Sequence, residues 1–252
     1  MLSIVNRHER DSNITFEEEG HLYTLFSNIH PTSVTSFIHH YFPQFNADAV
    51  IDKMMASKNW SKSKYFGMSK SEISSKWKND GTTSSSLGTL MHADIERYLN
   101  QEQPLNSSST EFQYFIKFWT DFCQKYPSFR PYRTEWVIYD EDISCAGSID
   151  CVLSDNNNNL IILDWKRSKE IKMQNRSEHG FEPFENYDNC NYSHYSLQLN
   201  FYRHMLMSKY HYNVVYMMLV VLHPQNETYQ CYPVPYIELG QIWSKITIKN
   251  QS

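Results

Sequence analysis

Hydrophobic and polar positions fall into two regimes along the chain. Up to about residue 126 apolar residues recur mostly at helical spacing, and from residue 133 onward they alternate or run continuously, as strands do. The opening is an exception. Ile14-Thr15-Phe16 and His21-Leu22-Tyr23-Thr24-Leu25 flank a turn at Glu19-Gly20 and predict a hairpin. Val34, Phe37, Ile38, Tyr41 and Phe42 predict a helical stretch over 33–55, which Pro43 divides in two, because proline has no N–H and its ring clashes with the preceding turn. The polar stretch GTTSSSLGT, 81–89, reads as a connection into a helix over 87–99. Ser109 or Thr110 can cap an aromatic helix that runs to about Tyr126.

Strands are predicted over 135–139, 143–153 and 160–165, with Asp155 and the asparagine run that follows it as a turn between the last two. A loop over 172–191, a helix over 192–210 and strands over 214–222 and 228–234 complete the pattern. No repeat of fixed period is present. Helices, a cluster of strands, one helix and more strands predict a mixed α/β fold, with helices on the faces of a central mixed sheet. The expected organisation is a hairpin and helical region rich in lysine and aromatics over 1–80, a core over 81–240 and a tail over 241–252.

A chain of 252 residues is long enough for one large α/β domain, or for a compact core with an added lobe. Its 23 basic and 28 acidic residues, net −5, argue against wholesale coating of nucleic acid but leave room for a local basic groove. The candidate groove is 53–78, where seven lysines, Lys62 and Lys64 among them, interleave with Trp60, Tyr65, Phe66 and Trp77. Lysines there can track phosphates while a tryptophan stacks on an unpaired base. For the tryptophans, packing into a core is the better reading. The five cysteines are odd in number and never spaced as CxxC, so neither a zinc knuckle nor a disulfide framework is expected. The start lacks the apolar core of a signal peptide, and the longest apolar run, 214–222, is too short for a bilayer. These features predict a soluble intracellular protein, cytoplasmic or nuclear, with no membrane partner. Abundant Asn, Ser, Tyr and Lys beside only seven glycines suit an AT-rich genome, such as that of a virus or a protist.

The stretch that carries chemistry is AGSIDCVLSDNNNNLIILDWKRSK, 146–169. Side chains alternate along a strand, so Asp164 and Lys166 share a face, and the hairpin brings Asp150 beside them. Two carboxylates and an ammonium on one sheet face are costly unless something pairs them. A hard divalent cation supplies that partner, since Mg²⁺ and its relatives take carboxylate, carbonyl, water and phosphate oxygens. The competing reading is that the aspartates end strands and the lysine is solvated, and a lone D-x-K motif is weak evidence against it.

The accompanying motifs raise its weight. GTLMHADIE (88–96), GSID (147–150), DWK (164–166) and QLNFY (198–202) occur in order, and the chain resembles PD-(D/E)XK nucleases of the RecB-like and lambda-exonuclease-like branch, the mitochondrial genome maintenance exonuclease type. The resemblance covers about 81–222. It implies a restriction-endonuclease-like core in which Asp150, Asp164 and Lys166 are catalytic. The implied metal set is His92, Asp150, Asp164 and the backbone carbonyl of Trp165, with Glu135 and Glu96 as further candidates, and Mg²⁺ or Mn²⁺ as the ion. Gln198 and Tyr202 match a pair that braces the site and contacts substrate, and Arg167, Lys62 and Lys64 join them as substrate-binding candidates. Gly147 permits a close approach of backbone or substrate near Asp150. Two departures stand out: Ile149 replaces the leading proline of the motif, and the cysteine quartet of the iron–sulfur branches is missing, so no cluster is expected.

The implied function is a metal-dependent deoxyribonuclease acting on DNA ends or single strands in replication, repair or recombination. Two alternatives are an RNA endonuclease of the cap-snatching type and a nuclease fold that binds DNA without cutting it.

Overall fold

The structure, a computed structural model, describes residues 1–240 and Ile242. The tail expected over 241–252 otherwise lies outside the described residues. The fold is mixed α/β, with a central mixed sheet flanked by helices. Two compact units make up the chain: Met1–Pro43 together with Met91–Ser252, and Gln44–Leu90.

In the larger unit the predicted hairpin forms from β1 (Ile14–Glu17) and β2 (Leu22–Leu25), with Gly20 at φ +86° in the turn. The main sheet is built around β5 (Cys145–Ser154). The antiparallel β4 (Arg130–Asp140) lines one edge of β5 throughout. The other edge is shared. β3 (Thr32–Ser33) pairs with Cys145 and Ala146, and β6 (Asn159–Lys166) pairs with β5 from Cys151 to Ser154. Among the described residues, the four from Gly147 to Asp150 therefore have no strand partner on that edge. The β5–β6 turn closes through Asp155, whose carboxylate accepts from the Asn157 and Asn159 N–H groups at 2.8 and 2.9 Å, an Asx turn of the kind the sequence implied. After β6 the chain crosses through α6 (Asn191–Ser208) to β7 (Asn213–Val221), parallel to β6, and β8 (Gln230–Pro233) adds antiparallel to β7.

Helical periodicity decides what covers each face. Phe112, Phe115, Phe118 and Phe122 of α5 (Thr110–Lys125) pack with Met91, Ile95 and Leu99 against Cys151, Leu153, Ile161, Leu163 and Trp165. Ser109 caps α5, its Oγ accepting from Phe112 N–H at 3.2 Å. On the opposite face, Val34 and Ile38 of α2 (Val34–His40) join Leu197, Phe201 and Met205 of α6 over Ile149, Leu160, Ile162 and Leu219. The hairpin places Ile14, Tyr23 and Leu25 on Tyr139 and Ala146. Among the described residues no helix is long and apolar enough to cross a membrane.

The smaller unit comprises α3 (Ala47–Met55), a 3-10 turn at Trp60–Lys62 and the first part of α4 (Lys70–Leu99). Its core is Ile51, Tyr65 and Ile73, with Trp60 and Trp77 packed against it and Trp77 Nε1 donating to the Tyr65 hydroxyl at 2.9 Å. Two expectations are corrected. Residues 81–89 are not a polar connection but part of one continuous helix, because Thr82 and Thr89 return their hydroxyls to the carbonyls of Lys78 and Ser85, at 3.1 and 3.3 Å, without breaking the ladder. The division of the chain also differs from the one expected: it falls after Pro43 and after Leu90, inside α4, and not at residue 80, and residues 1–43 pack with the core.

Candidate metal centre

The site forms where β5 and β6 part. Their ladder ends at Cys151 opposite Leu163, so the next residues of each strand, Asp150 and Asp164, stand at the fork. Beyond it, β6 remains paired to β7 through Asp164, Trp165 and Lys166. The Trp165 N–H, which has lost its β5 carbonyl, donates instead to Asp150 Oδ2 at 2.7 Å. Face alternation breaks at the same place: Ile149 packs under α6, whereas Cys151, two residues on, packs under α5. Across the sheet, Glu135 lies between Thr134 and Trp136, which pair with Cys151 and Ile149, and adopts φ +44°, a conformation uncommon for a residue with a side chain. This irregularity turns Glu135 and Asp150 toward a common point.

His92 completes that point. Its Nε2 lies 3.0 Å from the Trp165 carbonyl, which can only accept, so Nε2 carries a proton. Nδ1 then faces Glu135 Oε1 at 3.6 Å and Asp150 Oδ1 at 3.7 Å. Ligand atoms of His92, Glu135 and Asp150 all fall within 4.8 Å of one another. A metal-binding histidine commonly anchors one ring nitrogen on a backbone carbonyl and presents the other, which is the arrangement of His92. The charges bear out the crowding. Burial, reinforced by Asp164 and Glu135, raises the Asp150 carboxyl to about 7 against the opposing pull of His92 and Lys166. Burial alone would lower His92, yet the Asp150 and Glu135 carboxylates hold it up at about 9. A protonated imidazole here occupies the electrostatic role a cation would take.

Asp164 stands outside the His92–Glu135–Asp150 group. Its buried Oδ2 lies 2.7 Å from Lys166 Nζ, the charge that pairs it. Burial would lower Lys166, but Asp164 and Asp150 keep it well above the ordinary lysine value. Its ammonium also sits 4.6 Å from the Tyr195 ring, a contact no sequence motif announced. Gln198 Nε2 donates to the Tyr202 hydroxyl at 3.0 Å and to Thr35 Oγ1 at 3.1 Å. Tyr202 is buried against Gly147, where an added Cβ would meet ring atom Cε1 at 2.6 Å. The close approach expected at Gly147 is therefore made by this tyrosine ring.

The Trp165 carbonyl, expected as a metal ligand, receives the His92 N–H. Glu96 is one turn along α4 from His92 but outside the His92–Glu135–Asp150 group; burial, then Glu135, raises its pKa. Arg167, expected to contact substrate, is paired with α5 instead: its Nε donates to Glu111 Oε1 at 2.7 Å. Lys62 and Lys64 belong to the smaller unit, and Lys64 Nζ lies 5.0 Å from the Tyr65 ring. Tyr195 and Thr35 are the functional candidates that sequence reasoning missed. Tyr195 lies three residues before Gln198 on α6, so helical spacing from the QLNFY segment was the signal that could have found it.

No protein-family model matches the chain, and no curated protein matches it. Among solved structures it is similar to one described as the crystal structure of SSO0001, at 14% identity and a TM-score of 0.24. That similarity covers 54% of this chain and 56% of the other, and at this level it bears on neither fold nor function.

Proposed function

We propose that the protein is a metal-dependent nuclease that hydrolyses DNA phosphodiester bonds, of the PD-(D/E)XK kind that its motifs resemble, acting on ends or single strands. The reading rests on one observation: a strand fork that gathers His92 Nδ1, Glu135 and Asp150 within 4.8 Å, beside Asp164 and Lys166. One imidazole nitrogen with several carboxylate oxygens suits Mg²⁺ or Mn²⁺. His92, Glu135 and Asp150 would hold the ion, with Asp164, whose Oδ2 pairs with Lys166, as a further candidate donor. When bound, such an ion lowers the pKa of its water and polarises a phosphoryl oxygen.

The side chains divide the remaining work. Lys166 supplies an ammonium that would steady charge developing on the phosphate. Tyr195 and Asp164 fix the direction of that ammonium. Gln198 and Tyr202 brace the floor at Gly147, below Asp150. The lysines of the smaller unit are the proposed contacts to backbone phosphates. Labelled single- and double-stranded DNA and RNA, each incubated with Mg²⁺, Mn²⁺ or EDTA beside an Asp164→Ala control, test the reading. Chelator-sensitive DNA cleavage that the variant lacks is the expected result. Cleavage of RNA alone would favour an RNA endonuclease, and binding without cleavage in either metal would reduce the protein to a binding module.

A further inference from the structure

Beside Lys166, on the α6 side of the sheet, lies a cleft of about 230 Å³ within the larger unit. Its walls include Thr35, His39, Lys166, His194, Tyr195 and Gln198. Three of those six side chains are flat rings. His39 and His194 are 5.0 Å apart, centroid to centroid. Two more, Thr35 and Gln198, are neutral hydrogen-bonding groups joined at 3.1 Å. Lys166 is the one permanent cation of the lining, and Asp164 already neutralises it at 2.7 Å. Both histidines are pushed toward their neutral forms by burial, His194 to about 4. Lys166 apart, the lining offers a phosphate no permanent positive charge. A neutral flat ring with a polar edge would find three rings to pack against and polar groups to bond. The volume is below the roughly 300 Å³ at which pockets for drug-sized ligands begin, so it suits a single ring system.

We propose that this cleft is a subsite for one unpaired nucleobase of the strand being cut, next to the phosphate at Lys166. The assignment rests on the nuclease reading and adds a requirement to it: the strand must be unpaired at that nucleotide, because a base held in a duplex cannot enter the cleft without leaving its stack. Single strands and frayed ends are then cut in preference to internal duplex.

The test is a set of single-stranded oligonucleotides in which an abasic residue replaces one nucleotide at a time. Each is measured twice: cleavage by the wild-type protein in Mn²⁺, and equilibrium binding to the Asp164→Asn variant by fluorescence anisotropy. A loss of about tenfold at one position beside the cut, in both measurements, is expected for a stacked base. Thr35→Phe, which closes the cleft from an exposed helical position, should treat the abasic and the intact substrate alike. Equal rates and affinities at every position, in a protein that does cleave, would overturn the subsite and leave the nuclease reading standing. A position-dependent loss of binding in a protein that cleaves nothing would keep the subsite and remove the nuclease. Sensitivity to a terminal phosphate in place of any base would show the cleft to be an anion site and overturn the proposal.

Discussion

Asp150 does two jobs at once, and they can be separated. Its Oδ2 accepts the Trp165 N–H released at the fork, and its Oδ1 faces His92. Asp150→Asn retains an amide oxygen for that N–H but removes the charge. Asp150→Ala leaves a buried N–H unpaired, at a cost of roughly 1–3 kcal/mol. Urea unfolding should therefore find the asparagine variant close to wild type and the alanine variant clearly weaker, while both lose metal-dependent activity. Equal stabilities would mean that the aspartate does not serve the backbone. At this scale much was legible in the sequence. D-x-K spacing implied that Asp164 and Lys166 share a face, and they meet at 2.7 Å. It was silent on Arg167 meeting Glu111, residues 56 apart that only the packing of α5 on the sheet brings together.

Elements show a sharper contrast. Phenylalanines spaced along α5 and the Asx turn after β5 were readable because each depends on residues close in sequence. The continuity of α4 was not, since GTTSSSLGT has the composition of a loop. Gly81 and Gly88 lie within that helix with nothing within 4 Å of an added Cβ. Replacing each with alanine should raise stability by about 0.5–1 kcal/mol, seen as a higher Tm; no gain would argue for a loop. On α6, His194 packs against Phe42 and stays neutral, its pKa lowered to about 4 by burial and then by His39. The unfolded chain takes up that proton near 6.5, so stability is full above that pH and falls as the pH drops from about 6.5 to 4. His194→Phe, which keeps a ring on Phe42, should flatten the decline in denaturant midpoints measured across that window. An unchanged slope would assign the acid sensitivity to other groups.

For the molecule as a whole, charge is unevenly spread. Residues 44–90 hold seven lysines and four acidic residues in a chain of net −5. Those acids are engaged within the unit: Asp48 and Asp52 with Lys70, Asp80 with Lys76, and Glu72 with Ser69. Lys53, Lys58, Lys62, Lys64 and Lys78 have no ion pair among the described residues. Replacing Lys53, Lys58, Lys62 and Lys64 together with glutamine should weaken DNA binding and flatten its dependence on salt, by about 0.7 in log–log slope for each phosphate of a single strand that is no longer neutralised. Titrations from low to moderate salt measure this, and a slope equal to wild type would exclude those lysines from the interface.

By itself the sequence determined the mixed α/β class, most of the strands and helices, and the residue types of the site, because local periodicity and short spacings carry that information. Tertiary structure alone decided that the β5–β6 ladder stops at Cys151, that Glu135 turns inward at φ +44°, and that Tyr195 lies against Lys166. These depend on where separate segments, a dozen or more positions apart, meet once the sheet and its helices pack, which local periodicity does not specify.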